Sequence, residues 1–173
     1  NWFFDEYVST TQKIDFKIKK VRKMEDSLVV ILKNKEGTNV PISLFGIKND
    51  TVVSNYWFTD ITDQQAFRIP KNGEDRLVLN YDQTIPEFNQ RDNWKSLNGF
   101  FSSNKKLKFQ FFKDAEDPYY NQVFYVPVLG FNKYDGLSPG MRLHNKTLLE
   151  RPFVFGLAPT YAPNEKTFVG YGK

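Results

Sequence analysis

The side chains that could take a proton, hold a metal or attack carbon are few in this sequence, and they are scattered. There is one histidine, His144, beside Asn145 and Lys146. It could act as a lone general base, but no second histidine offers a zinc pair and no G-x-S-x-G offers a nucleophile. It therefore reads as structural. The run Asp114-Ala115-Glu116-Asp117-Pro118 could gather oxygens around calcium, yet its spacing does not follow the D-x-[DN]-x-[DN]-G loop. It reads as a solvated loop closed by Pro118. Asp60 and Asp63 flank Ile61-Thr62 and mark a turn. With 20 acids the chain contains many carboxylate pairs, but nothing selects one for glycoside chemistry. There is no cysteine, which removes thiol catalysis, thiolate metal sites and disulfides together. No catalytic, cofactor-binding or metal residue is expected here.

Two other features could serve binding. Aromatics make up 17% of the chain and recur as neighbours: Tyr56-Trp57-Phe58, Phe100-Phe101, Phe111-Phe112, Tyr119-Tyr120 and Phe124-Tyr125. In a strand one ring of each pair faces the core and the next faces out. The outward rings could dock another domain or stack on sugars. The second feature is basic. Lys13, Lys17, Lys19, Lys20, Arg22 and Lys23 face only Asp15, and they interleave with Ile14, Phe16, Ile18 and Val21. That alternation is how a half-buried strand looks. Anionic lipid headgroups or a protein partner are further readings. Nucleic acid is not expected, because no RNP, helix-turn-helix or zinc signature accompanies the patch.

These residues sit on a β-rich frame. Residues 1–10 read as the end of a preceding helical or catalytic domain. Strands are expected over 13–22, 27–33, 39–47, 51–59, 66–69 and 76–81, with a turn every eight to twelve residues as in a sandwich. Leu28-Val29-Val30-Ile31-Leu32 is continuously apolar and reads as a central strand buried on both faces. Residues 66–81 read as the last hairpin, turning at Asn72-Gly73, with Leu77, Leu79 and Tyr81 on one face. The expected core is Ile14, Phe16, Ile18, Val29, Ile31, Leu44, Trp57, Phe67, Leu77 and Leu79. The fold class is thus all-β: an Ig-like or fibronectin-like sandwich over 11–94, then a connector and second β-region over 95–173, barrel-like or built of extended hairpins. Strands are also expected over 107–112 and 122–131.

Two resemblances add to this reading. Arg76-Leu77-Val78-Leu79-Asn80, running into Pro86-Glu87-Phe88-Asn89 and Asn93, resembles the "LVLN…PE.N..N" end of the β-domain that follows the catalytic domain in M1 (gluzincin) aminopeptidases. Trp2-Phe3-Phe4-Asp5-Glu6-Tyr7 is similar to the "W-F-F-D-Q-W" block that closes that family's helical region. Together they cover roughly the first 95 residues. The family's zinc motif H-E-x-x-H is absent, so the resemblance implies the non-catalytic side of a larger protein, with zinc held elsewhere in that parent. Farther along, Tyr134-Asp135-Gly136, Gly140-Met141-Arg142-Leu143-His144-Asn145 and Pro152-Phe153-Val154-Phe155 resemble the opening strands of surface-antigen-type outer-membrane β-barrels. Such strands alternate apolar-out and small-or-polar-in. Val154, Gly156 and Ala158 against Phe153, Phe155 and Leu157 fit, though a soluble hairpin fits as well.

The resemblances imply a structural or docking β-domain of a larger M1-metallopeptidase-like protein at the outer membrane or in the periplasm of a Gram-negative bacterium. Its partners would be the parent's own catalytic domain and the membrane or its proteins. The abrupt start at Asn1-Trp2, with no charged or apolar leader, reads as a piece of a longer precursor. Two other classes stay open: an accessory subunit of an outer-membrane assembly or secretion complex, and a carbohydrate- or protein-binding sandwich module.

Overall fold

A computed structural model describes residues 3–99, 105–148, 151 and 153–173. Trp2, the Phe100-Phe101 pair and Pro152 therefore lie outside the described residues. The chain divides into two compact units, Asn1–Asn104 and Lys105–Lys173.

The first unit opens with a π-helical turn, Phe3–Val8. Seven strands follow: β1 (Phe16–Lys23), β2 (Ser27–Asn34), β3 (Ile42–Lys48), β4 (Thr51–Phe58), β5 (Gln64–Pro70), β6 (Arg76–Leu79) and β7 (Trp94–Ser96). They form two antiparallel sheets in the orders β1-β2-β5 and β4-β3-β6-β7. This three-plus-four arrangement is the fibronectin-like sandwich that the turn rhythm suggests. Between the sheets lie Phe16, Ile18, Leu28, Val30, Leu32, Ile42, Leu44, Leu77 and Leu79, all buried. Pro41 stands just ahead of β3, where its missing N–H costs no ladder bond. Asn49 and Asp50, both at positive φ, make the tight β3–β4 turn.

Several expectations need correction. In β2 the core face is Leu28, Val30 and Leu32, whereas Val29 and Ile31 are only half-buried on the outer face. An unbroken apolar run carries no signal of which parity faces in, so only pairing decides it. Trp57 is 51% exposed, because Tyr56 and Phe58 take the inward positions of β4. Residues 66–81 are not a hairpin: β5 and β6 belong to opposite sheets, and Pro70 to Asp75 carries the chain between layers. Tyr81 departs from the Leu77–Leu79 face. Asn80 adopts positive φ and breaks the alternation, so Tyr81 meets Phe45 and Trp94 instead, at ring-centroid separations of 5.8 and 6.0 Å. Lys95 and Ser96, read as the start of a connector, join Trp94 in pairing with β6 as the last strand of the sandwich. Finally, Ile18 and Val21 are three residues apart yet both face inward. A bulge between Ile18 and Lys20 absorbs the extra residue.

The second unit is one five-stranded sheet in the order β12-β11-β10-β9-β8. Its strands are β8 (Lys106–Phe111), β9 (Tyr120–Asn132), β10 (Gly136–His144), β11 (Gly156–Ala162) and β12 (Thr167–Gly172). From β9 to β12 it is an antiparallel meander, while β8 pairs parallel to β9. The sheet is open, with β8 and β12 at its edges, so no barrel closes among the described residues.

Candidate functional site

The feature of the second unit that could act on a partner is the difference between its two faces. Side chains alternate along a strand, and the register assigns each residue to a face. In β8, Leu107, Phe109 and Phe111 point one way and Lys106, Lys108 and Gln110 the other. Opposite them on β9, the apolar side continues through Val123, Tyr125, Pro127, Leu129 and Phe131. Leu137, Pro139, Met141 and Leu143 extend it on β10, then Leu157, Pro159 and Tyr161 on β11. Phe168, Gly170 and Gly172 complete it on β12. No charged residue occupies this face; Asn121, at one end of β9, is its polar member. Most of its large side chains are solvent-exposed, Phe131 at 81%. The rings lie toward the ends, with Phe109, Phe111 and Tyr125 at one and Phe131, Tyr161 and Phe168 at the other. By register Pro127, Met141, Pro159 and Gly170 lie between, while Leu143 and Leu157 are level with Phe111 and Tyr125, and Leu129 and Pro139 with Tyr161 and Phe168.

The other face is mixed: Gly130, Ser138, Gly140, Arg142, His144, Ala158, Thr160 and Ala162 are small or polar, but Phe124, Val126, Val128, Val169 and Tyr171 share it. A Cβ on Gly140 would stand 2.5 Å from the Pro159 carbonyl oxygen, so only glycine lets the β10 and β11 backbones approach this closely. Asn145 closes the β10–β11 connection: its amide donates to the Phe153 carbonyl (3.1 Å) and accepts from the Phe155 N–H (2.9 Å). The tail motif's Gly and Asn thus have structural work. At the β8 end the return segment 112–119 crosses the polar face. Gln122 anchors it there, accepting from the Asp117 N–H (2.9 Å) and donating to the Ala115 carbonyl (3.1 Å).

The residues considered for chemistry are engaged elsewhere. His144 is buried and stacked on Phe124, and its Nδ1 accepts the Lys146 N–H at 3.2 Å. Burial, reinforced by Arg142, Lys113 and Lys146, holds its pKa below the ordinary histidine value. The acids of 114–117 are not simply solvated. Asp117 pairs with Lys108 (2.9 Å) and Glu116 with the half-buried Arg151 (3.0 Å). Asp60 sits at positive φ in its turn. Among the described residues no three His, Asp or Glu side chains converge as a metal ion would need.

A buried polar latch in the sandwich was not expected from the sequence. Glu87 accepts the Phe16 N–H (3.0 Å) and the Asn93 amide (2.6 Å), joining residues 71 positions apart. Beside it the Phe88 N–H reaches the Ile14 carbonyl (2.8 Å). Asn80 folds the intervening loop by exchanging two bonds with the Ile85 backbone. Lys35 spans Asp15 (3.0 Å) and Asp92 (2.6 Å). Burial pushes the Glu87 carboxyl up to about 7 against the Phe16, Asn93 and Asn80 donors, with the Asp15 charge adding to the rise. Burial likewise raises Asp15, against its bond to Lys35. For Lys35 burial opposes the charge, but Asp92 and Asp15 outweigh it and hold its pKa above the ordinary lysine value. The motif "LVLN…PE.N..N" is therefore a clasp that ties the chain's exit from β6 onto the start of β1. Its sequence signal was a glutamate between Pro86 and several asparagines, too polar a set to be loop filler alone.

No protein-family model, no curated protein and no solved structure matches the chain.

Proposed function

We propose that this chain is a non-catalytic structural and docking β-domain of a larger, outer-membrane-associated protein akin to the M1 metallopeptidases. The observation that carries the membrane part is the uncharged apolar face of the β8–β12 sheet; the charged residues of its strands, Lys106, Lys108 and Arg142, all lie on the opposite, mixed face. A water-soluble sheet seldom leaves so wide an apolar surface bare, whereas the lipid-facing side of a membrane-spanning β-sheet requires an uncharged apolar surface, with aromatic residues toward both ends. No described helix is long and apolar enough to cross a membrane, which says nothing of crossing by strands. The docking part draws on the family resemblance of residues 2–7 and 76–93. It is supported by the Glu87 clasp, where the motif's polar side chains are spent on internal bonding. On this reading zinc, if the parent retains it, belongs to the catalytic domain that this sandwich abuts.

The exposed Trp57 on edge strand β4, with Val52 and Val53 exposed at the strand's other end, favours a second reading as a protein- or carbohydrate-binding module. The mass and membrane partition of the native polypeptide separate the two. The proposal expects a chain far heavier than 20.3 kDa, retained in the outer-membrane fraction through high-salt and alkaline washes and released by detergent. A native chain of that mass in the soluble fraction overturns it and leaves the binding module.

A further inference from the structure

We propose that the outer face of the β1-β2-β5 sheet is a docking surface for the phosphate-bearing headgroups of an anionic membrane. The inference rests on the membrane reading above but concerns a different surface. Register places Lys17 opposite Lys33, Lys20 opposite Ile31 and Arg22 opposite Val29, with Arg68 beyond Val29 on β5. Five cations therefore share one sheet face, and no acid occupies that face within the three strands. Asp63, just outside β5, reaches Lys33 at 3.7 Å and is itself exposed. These five positive charges exceed the whole chain's net charge of +4.

The fold does not need this arrangement. Like charges directly opposite one another in a sheet are destabilising, and Lys17 against Lys33 is such a pair. The bulge after Ile18 also turns Lys19 and Lys20 both to solvent, where Lys19 bonds Gln64. An anionic partner converts these costs into attraction. The face also says which partner. The residues between its cations are Val29, Ile31 and Ala66, aliphatic or small, so the stacking rings of a single-strand nucleic-acid surface are missing. A three-stranded sheet face spreads its charges broadly, as a planar layer of phosphates does.

The test uses the full chain with vesicles of phosphatidylcholine alone and vesicles containing phosphatidylglycerol. Wild type is compared with a Lys17→Gln, Lys20→Gln, Arg22→Gln triple variant, whose fold is checked by circular dichroism. Each cation near an anionic surface strengthens binding about fivefold, so the variant loses about 100-fold in affinity for the phosphatidylglycerol vesicles. Its affinity for phosphatidylcholine stays at the wild-type level. A variant that keeps the full anionic preference overturns the proposal and leaves the membrane reading standing. Absence of binding by either protein to either vesicle sinks both. Release by millimolar inorganic phosphate, but not by chloride of equal ionic strength, would assign the face to free phosphate and also overturn the headgroup proposal. An equal gain on duplex DNA, lost in the same variant, would assign it to nucleic acid. Should the triple variant fail to fold, wild-type binding to phosphatidylglycerol must weaken steeply with added salt, and a salt-independent affinity refutes the proposal.

Discussion

Glu87 makes the sandwich's stability depend on pH in an unusual direction. Folding lifts its carboxyl from the ordinary 4.5 to about 7 through burial. Between those values the folded state binds the proton more tightly than the unfolded chain does. The group's contribution is therefore fully present below about pH 4.5 and is lost as pH rises through about 7. A rise of that size corresponds to about 3 kcal/mol. Glu87→Gln is the sharpest perturbation. A neutral amide keeps an oxygen for the Phe16 N–H; its NH2 replaces the oxygen that accepts from the Asn93 amide, so Asn93 must turn over to present its buried oxygen, which has no partner in the wild type. It should match wild type near pH 5, exceed it by about 3 kcal/mol at pH 8, and flatten the pH profile. Glu87→Ala leaves the Phe16 N–H and the Asn93 amide without their acceptor and should cost about 2–4 kcal/mol at pH 5. The assay is urea unfolding followed by tryptophan fluorescence, since Trp2, Trp57 and Trp94 all belong to the first unit. Wild-type stability that rises between pH 5 and 8, or a Gln variant that keeps the wild-type slope, would refute the reasoning.

Four further outcomes follow from the same structure. Leu44→Ala, emptying a fully buried site, should cost about 2–5 kcal/mol in urea unfolding, while Val29→Ala on the half-buried outer face should cost about 1 kcal/mol. Lys35→Ala strands the buried Asp15 beside Glu87 and Asp92 and should cost about 1–3 kcal/mol at pH 7, shrinking as the carboxyl is protonated at low pH. Gly140→Ala forces a Cβ against the Pro159 carbonyl and should destabilise the second unit by about 1–3 kcal/mol, read as earlier loss of hydrogen-exchange protection in β10 and β11. Leu129→Lys should weaken vesicle partition by about 2–4 kcal/mol, whereas Thr160→Lys on the opposite face should change it little.

How much of this was legible depended on whether a strand carried contrast. β8 alternates Lys, Leu, Lys, Phe, Gln, Phe, so its two faces are written in the sequence. Leu77 and Leu79 were likewise plain, as was the turn rhythm that makes a sandwich. Val29 and Ile31 were misassigned because all five residues of their run are apolar, and Trp57 because both of its neighbours are aromatic. In such stretches only cross-strand register breaks the tie. The three-residue gap from Ile18 to Val21 did hold a signal, since strict alternation cannot bury both without a bulge. Opposite-sheet placement of β5 and β6 was hidden, because Asn72-Gly73 marks a turn without saying whether the chain returns to the same sheet. The Glu87 clasp needs a partner 71 residues away, which local pattern does not supply. The uncharged face was partly visible as strands whose charges, Lys106, Lys108 and Arg142, all fall at even positions. Only the pairing of five strands turns that coincidence into one surface.

The central claim is that this surface meets hydrocarbon. These 173 residues contain no cysteine, so variants with one cysteine at residues 124–131 of β9, made in the native full-length polypeptide after any cysteine elsewhere in it is replaced by serine, carry a polarity-sensitive fluorophore at one known site. In vesicles with nitroxide-labelled acyl chains, the account predicts period-two quenching: strong at 125, 127, 129 and 131, weak at 124, 126, 128 and 130. Uniform quenching along the strand, or odd positions open to an aqueous quencher, would contradict it.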